Sequence, residues 1–85
     1  MSAAERMAEE AQRFLAGDLE YAVSLRSAQS YSFFYLSVDY QGSQIGEKTF
    51  HGPTQYWQAR RWLRRTVRGH RKLLAAAAAE GARYE

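Results

Sequence analysis

Cysteine is absent from this 85-residue chain, which excludes disulfides and thiolate metal sites. The longest apolar run, Leu73 to Ala79, falls far short of the roughly 20 residues a membrane span requires. The N-terminus lacks the basic-then-apolar pattern of a secretory leader, so the expectation is a cytoplasmic, non-membrane protein. Histidine occurs only at His51 and His70, and that pair does not have metal-ligand spacing. None of the serines sits in a nucleophile elbow. Gly42 and Gly46 bracket an expected strand rather than opening a helix, so they do not form a phosphate-binding loop. Asp39 and Glu47 are expected to face each other across a hairpin, yet two carboxylates without a cleft are weak support for acid–base chemistry. The reading is a non-enzymatic protein without cofactor or metal.

The remaining composition, 46% hydrophobic and 25% charged, is that of a soluble globular protein. The length suits a single domain, residues 1–85. Such a chain buries about 60–65% of the surface its unfolded form exposes, which leaves a thin margin of stability.

Charge is unevenly placed. Residues 1–59 carry −3, residues 60–72 carry +7 and residues 73–85 carry −1, for a net +3. The central block, Arg60, Arg61, Arg64, Arg65, Arg68, Arg71 and Lys72, contains no acid. A cationic block of this kind attracts polyanions or acidic protein surfaces. Six of the seven cations are arginine, whose planar fork matches phosphate and carboxylate geometry better than lysine does.

Ser2-Ala3-Ala4-Glu5 has capping-box spacing. Ala4, Met7, Ala8, Ala11, Phe14 and Leu15 recur at helical period, and Gly17 suits a C-terminal stop. The pattern predicts an amphipathic helix over residues 3–16 with an acidic outer face. Leu19, Tyr21, Val23 and Leu25 alternate with Glu20, Ala22, Ser24 and Arg26, which predicts a strand with one apolar face. Ser27 to Ser30 is expected to turn. Tyr31 to Tyr40 reads as a second strand, with Phe34, Leu36, Val38 and Tyr40 on one face and Tyr31, Phe33, Tyr35, Ser37 and Asp39 on the other. Gln41-Gly42 suits a tight hairpin. In the third strand, Gln44 to Phe50, Ile45 and Phe50 share a face only if a bulge falls near Gly46.

Gly52 is expected as N-cap and Pro53 as the first residue of a second helix. At 100° per residue, Tyr56, Ala59, Leu63, Val67, His70 and Leu74 form its core stripe, flanked by Trp62, Thr66 and Leu73. His70 on that stripe is expected to be a satisfied core residue. The cations occupy the remaining arc with Trp57 among them, and Ala75 to Ala79 continue the helix to Gly81. The resulting fold class is α+β, ordered α-β-β-β-α: a three-stranded antiparallel meander with two helices packed on one face.

Phe33 and Tyr35, with Tyr31, are expected on the open sheet face, where exposed aromatics stack single-stranded bases. The other reading of that face is burial by the tail or by a second subunit, as in a homodimer. Trp57 beside arginines has the makeup of an interface hot spot and of a cation–π or base contact.

Three families resemble parts of the chain. The hairpin at Gly42, followed by Lys48-Thr49-Phe50 and a helix bearing Ala59-x-x-Trp62, is similar to the arm-type DNA-binding domains of phage integrases. That likeness implies a sheet entering the major groove with the helix behind it. The α-β-β-β-α order resembles double-stranded-RNA-binding domains, although the second helix opens here with Gln55-Tyr56-Trp57-Gln58. Gly42-x-x-Ile45-Gly46-x-x-x-Phe50 before a Gln/Trp helix resembles small phage anti-CRISPR proteins of the type I-F kind, which implies binding to a ribonucleoprotein complex. Each likeness covers about a third of the chain.

Two functions follow as expectations. One is nucleic-acid binding, to DNA or RNA, with the seven cations on phosphates and Phe33, Tyr35 and Trp57 on bases. The other is a phage or mobile-element inhibitor whose cationic arc docks on an acidic protein or ribonucleoprotein surface.

Overall fold

The computed structural model describes residues 2–27 and 33–83. Its element order is α1 (Ala3–Phe14), β1 (Tyr21–Ser27), β2 (Phe33–Tyr40), β3 (Ser43–His51) and α2 (Gln55–Arg83). The strands form one antiparallel sheet in the order β1-β2-β3. Both helices pack on the same face, α1 against α2 and β1, and α2 against β3 and β2. The expected α+β meander is therefore the observed fold. No helix among the described residues is long and apolar enough to cross a membrane.

Local chemistry accounts for the elements. The Ser2 Oγ accepts the Glu5 N–H at 3.1 Å and caps α1. The hairpin joining β2 to β3 turns through Gln41 (φ 50) and Gly42 (φ 83), the paired positive φ angles of a type I′ turn. The β2–β3 register slips between Val38 and Asp39, so that Val38 faces Gly46 while Asp39 faces Gln44. Ile45 is the extra residue of this bulge, which lets both Ile45 and Phe50 pack on the core.

The core joins Met7 and Ala11 of α1, Tyr21, Phe34, Leu36, Val38 and Phe50 of the sheet, and Tyr56, Ala59, Leu63 and Val67 of α2. Gly46 lets α2 approach β3 closely. A Cβ there would stand 3.2 Å from Trp62 Cζ2 and 3.3 Å from Thr66 Cγ2. The His70 Nδ1 lies 2.8 Å from the Tyr21 hydroxyl, with the Tyr21 and Tyr40 rings beside the imidazole. His70 is thus a satisfied residue at the edge of the core.

Several expected boundaries and exposures move. The first helix ends at Phe14 rather than residue 16. Leu19 is 98% exposed, because the Asp18 Oδ1 accepts the Glu20 N–H at 3.0 Å and β1 starts only at Tyr21. The second helix begins at Gln55 rather than Pro53, after a turn in which the Gly52 carbonyl accepts the Gln55 N–H, and it passes Gly81 to end at Arg83. Leu74, expected in the core stripe, is exposed, as is Leu73. The reason is length: 29 helical residues span about 43 Å, whereas the nine residues of β3 span about 30 Å. The last turns of α2 project past the sheet, and the molecule measures 55 × 22 × 18 Å. The turn expected at Ser27 to Ser30, beyond Ser27, and the strand position expected for Tyr31 lie outside the described residues.

Candidate functional site

Helix α2 carries all seven cations of the basic block, and the way α1 docks divides them into two groups. The Glu10 side chain is 9% exposed, and its Oε1 accepts from Arg64 Nη2 at 2.7 Å and Arg60 Nε at 3.2 Å. Its Oε2 accepts from Arg13 Nη2 at 3.2 Å. Further along, the Asp18 Oδ2 accepts from Arg71 Nη2 at 2.9 Å. Arg60, Arg64 and Arg71 are therefore neutralised within the fold, which corrects the expectation that the whole block faces outward. Glu10, read as part of an acidic outer face, is buried between the helices.

The hydrogen bond from Arg64, opposed by burial and aided by Arg13 and Arg60, holds the Glu10 carboxyl down at about 2. Asp18 is also lowered, first by the Glu20 amide and then by Arg71.

Arg61, Arg65, Arg68 and Lys72 are exposed. Among the described residues no carboxylate comes within ion-pair distance of any of them. Helical phase explains the division. At 100° per residue, Arg60, Arg64 and Arg71 lie within about 40° of one another on the side facing α1. Trp57, Arg61, Arg65, Arg68 and Lys72 lie within about 80° on the side turned away from the core. Arg61 to Lys72 spans about 16 Å along the axis.

Two shallow grooves flank this free stripe and share Trp57, Arg61 and Arg65. One, of about 580 Å³, runs along α2 from Trp57 past Arg68 to Lys72. The other, of about 450 Å³, lies between α2 and the β3 edge and adds Lys48, Phe50, Thr54, Gln58 and Trp62. Trp57 is 56% exposed, with the guanidinium carbons of Arg60 and Arg6 at 5.8 and 5.9 Å from its ring centroid. The exposed acids of α1, Glu5 and Glu9, sit about 140° and 100° around that helix from Glu10.

Phe33 and Tyr35 belong to the opposite side of the sheet, since they alternate with Phe34 and Leu36, which face the helices. The structure does not bring them together with the arginines. Phe33 is half-buried, with its ring 5.6 Å from that of His51. The Tyr35 hydroxyl donates to Glu47, which raises the phenol's pKa. Glu47 stands opposite Ser37 and Asp39 opposite Gln44, so these carboxylates are not the facing pair expected. They nevertheless place two acids on the open face. Among the described residues no group of His, Asp and Glu could hold a metal ion.

Lys48 and Trp62 join the site without having been expected there, because strand register and Gly46 bring the β3 edge beside α2. Glu10 carried a readable signal: it falls three residues after Met7 and four before Phe14, on the packed flank of α1.

No family model matches the chain, and comparison with curated proteins and with solved structures found no match.

Proposed function

We propose that the protein is a small non-enzymatic nucleic-acid-binding module that acts through the outward stripe of α2. The observation that carries this reading is the row Arg61, Arg65, Arg68 and Lys72, unpaired and aligned beside an exposed Trp57. A cation already engaged by a carboxylate must give up that pair before it can neutralise a phosphate and free the counterion condensed there, whereas an unpaired one need not. Lys48 extends the positive surface across the groove to the sheet edge. The acids of the open sheet face favour the helix over the sheet as the phosphate-binding side.

Salt dependence tests the reading. Binding to labelled DNA or RNA should weaken with a log–log slope of about −0.7 to −0.9 per neutralised phosphate. Replacing Arg65 and Arg68 by alanine should flatten that slope by roughly 1.4 to 1.8. Absence of binding at low salt, or a slope indifferent to these two changes, contradicts the proposal.

One observation favours the second reading, an inhibitor of the anti-CRISPR kind seated on a protein or ribonucleoprotein complex. The projecting end of α2 exposes Leu73, Leu74 and the alanines 75–79, apolar surface for which nucleic acid has little use. A protein complex that co-purifies equally well after nuclease treatment favours this reading, and capture of nucleic acid alone counts against it.

A further inference from the structure

The groove between α2 and β3 has a chemistry the rest of the basic surface lacks. Its floor is aromatic, with Phe50 and Trp62 packed edge to face at 5.7 Å between ring centroids. Its rim holds the exposed Trp57 together with Arg61, Arg65 and Lys48. Gln58 and Thr54 supply amide and hydroxyl groups at one end, joined by a 2.6 Å hydrogen bond from Gln58 Nε2 to Thr54 Oγ1. The volume, about 450 Å³, falls within the range of small-ligand pockets.

Resting on the proposed nucleic-acid function, we infer that this groove receives an unpaired base stacked on Trp57, and that the protein selects single strands over duplex. In a duplex both faces of each base are covered by its neighbours, so a tryptophan standing out from a helix has no π-face to meet. In a single strand the bases splay out and stack on aromatic side chains, while arginines and lysines follow the backbone. The arrangement here separates those two tasks. Arg61, Arg65 and Lys48 ring the groove mouth, where phosphates adjoining the inserted base would lie, and Arg68 and Lys72 continue the cationic track along α2. Stacking does not distinguish among bases, so the selectivity is for strandedness with weak sequence preference.

The test compares a fluorescein-labelled oligothymidylate with its duplex at matched low salt, using the full chain and its Trp57→Ala, Trp57→Phe and Lys48→Ala variants. Trp57 is 56% exposed and its ring rests on that of Tyr56 at 4.9 Å, so Trp57→Phe serves as the matched control and circular dichroism checks that both variants are folded at the assay temperature. The expected result is a preference of about tenfold or more for the single strand. Trp57→Ala should abolish that preference without changing the salt slope, Trp57→Phe should keep most of it, and Lys48→Ala should lower the slope without abolishing the preference. Equal or tighter binding of the duplex, or a preference that survives Trp57→Ala, overturns the single-strand assignment while leaving the nucleic-acid function standing. Failure to bind either form at low salt overturns both.

Discussion

The Arg64 guanidinium donates to Glu10 Oε1 at 2.7 Å across the α1–α2 interface, joining residues 54 apart in sequence. The same oxygen accepts from Arg60, and the Arg64 guanidinium carbon sits 5.3 Å from the Phe14 ring centroid. This contact locks α1 onto α2 and removes Arg60 and Arg64 from the pool of cations available to a partner.

Glu10 should therefore matter for stability and the outward arginines should not. Removing one partner of a buried ion pair leaves an uncompensated charge and costs about 3–5 kcal/mol. With the Arg60 and Arg64 side chains still about a third exposed, Glu10→Gln should cost about 2 kcal/mol, or roughly 8–16 °C in Tm. Arg61→Ala should shift stability by less than about 0.5 kcal/mol. Thermal unfolding followed by circular dichroism checks both; an Arg61 variant as damaged as Glu10→Gln would contradict the two-stripe division.

The same carboxylate predicts an acid limb. The Glu10 pKa falls from 4.5 in the unfolded chain to about 2 in the folded one. Between those values the unfolded chain binds a proton that the folded chain does not, so stability rises with pH there. The contribution is complete well above pH 4.5 and is lost as the pH falls through that value towards about 2. Its size is about 2–3 kcal/mol once solvent at the arginines is allowed for. Asp18, also lowered, acts in the same direction. Urea midpoints measured against pH should fall across this window in the parent and fall less steeply in Glu10→Gln.

Two glycines should respond with opposite signs to alanine. At Gly69 a Cβ meets nothing within 4 Å, and the residue is helical, so Gly69→Ala should stabilise by about 0.5–1 kcal/mol. At Gly46 the Cβ would press on Trp62, itself held against Phe50, and on Thr66. Gly46→Ala should destabilise by about 1–2 kcal/mol. Chemical denaturation of the two variants decides, and a neutral Gly46→Ala would mean that α2 is not held tightly on β3.

Tyr21 lies between the sheet and α2, buried apart from its bond to His70, and burial raises its phenol pKa. Tyr21→Phe keeps the ring but leaves the imidazole nitrogen without its partner, at a cost of about 1 kcal/mol. An unchanged denaturation midpoint would show that water replaces the hydroxyl freely.

Local rules written in residue order determined much of this protein. Period-two and period-three-to-four patterns placed the elements in order, the Gln41-Gly42 pair marked the hairpin, and the ambiguous parity of Ile45 and Phe50 pointed to the bulge near Gly46. Helical phase alone also set Trp57, Arg61, Arg65, Arg68 and Lys72 in one row. Only the tertiary structure decided which cations that row leaves free, because the neutralising carboxylates, Glu10 and Asp18, arrive from about 50 residues away when α1 docks. It likewise added Lys48 to the side of the arginines, and exposed Leu74 where the helix outruns the strands. Periodicity is a property of a single element, whereas ion pairing and burial depend on which elements meet and where each of them ends.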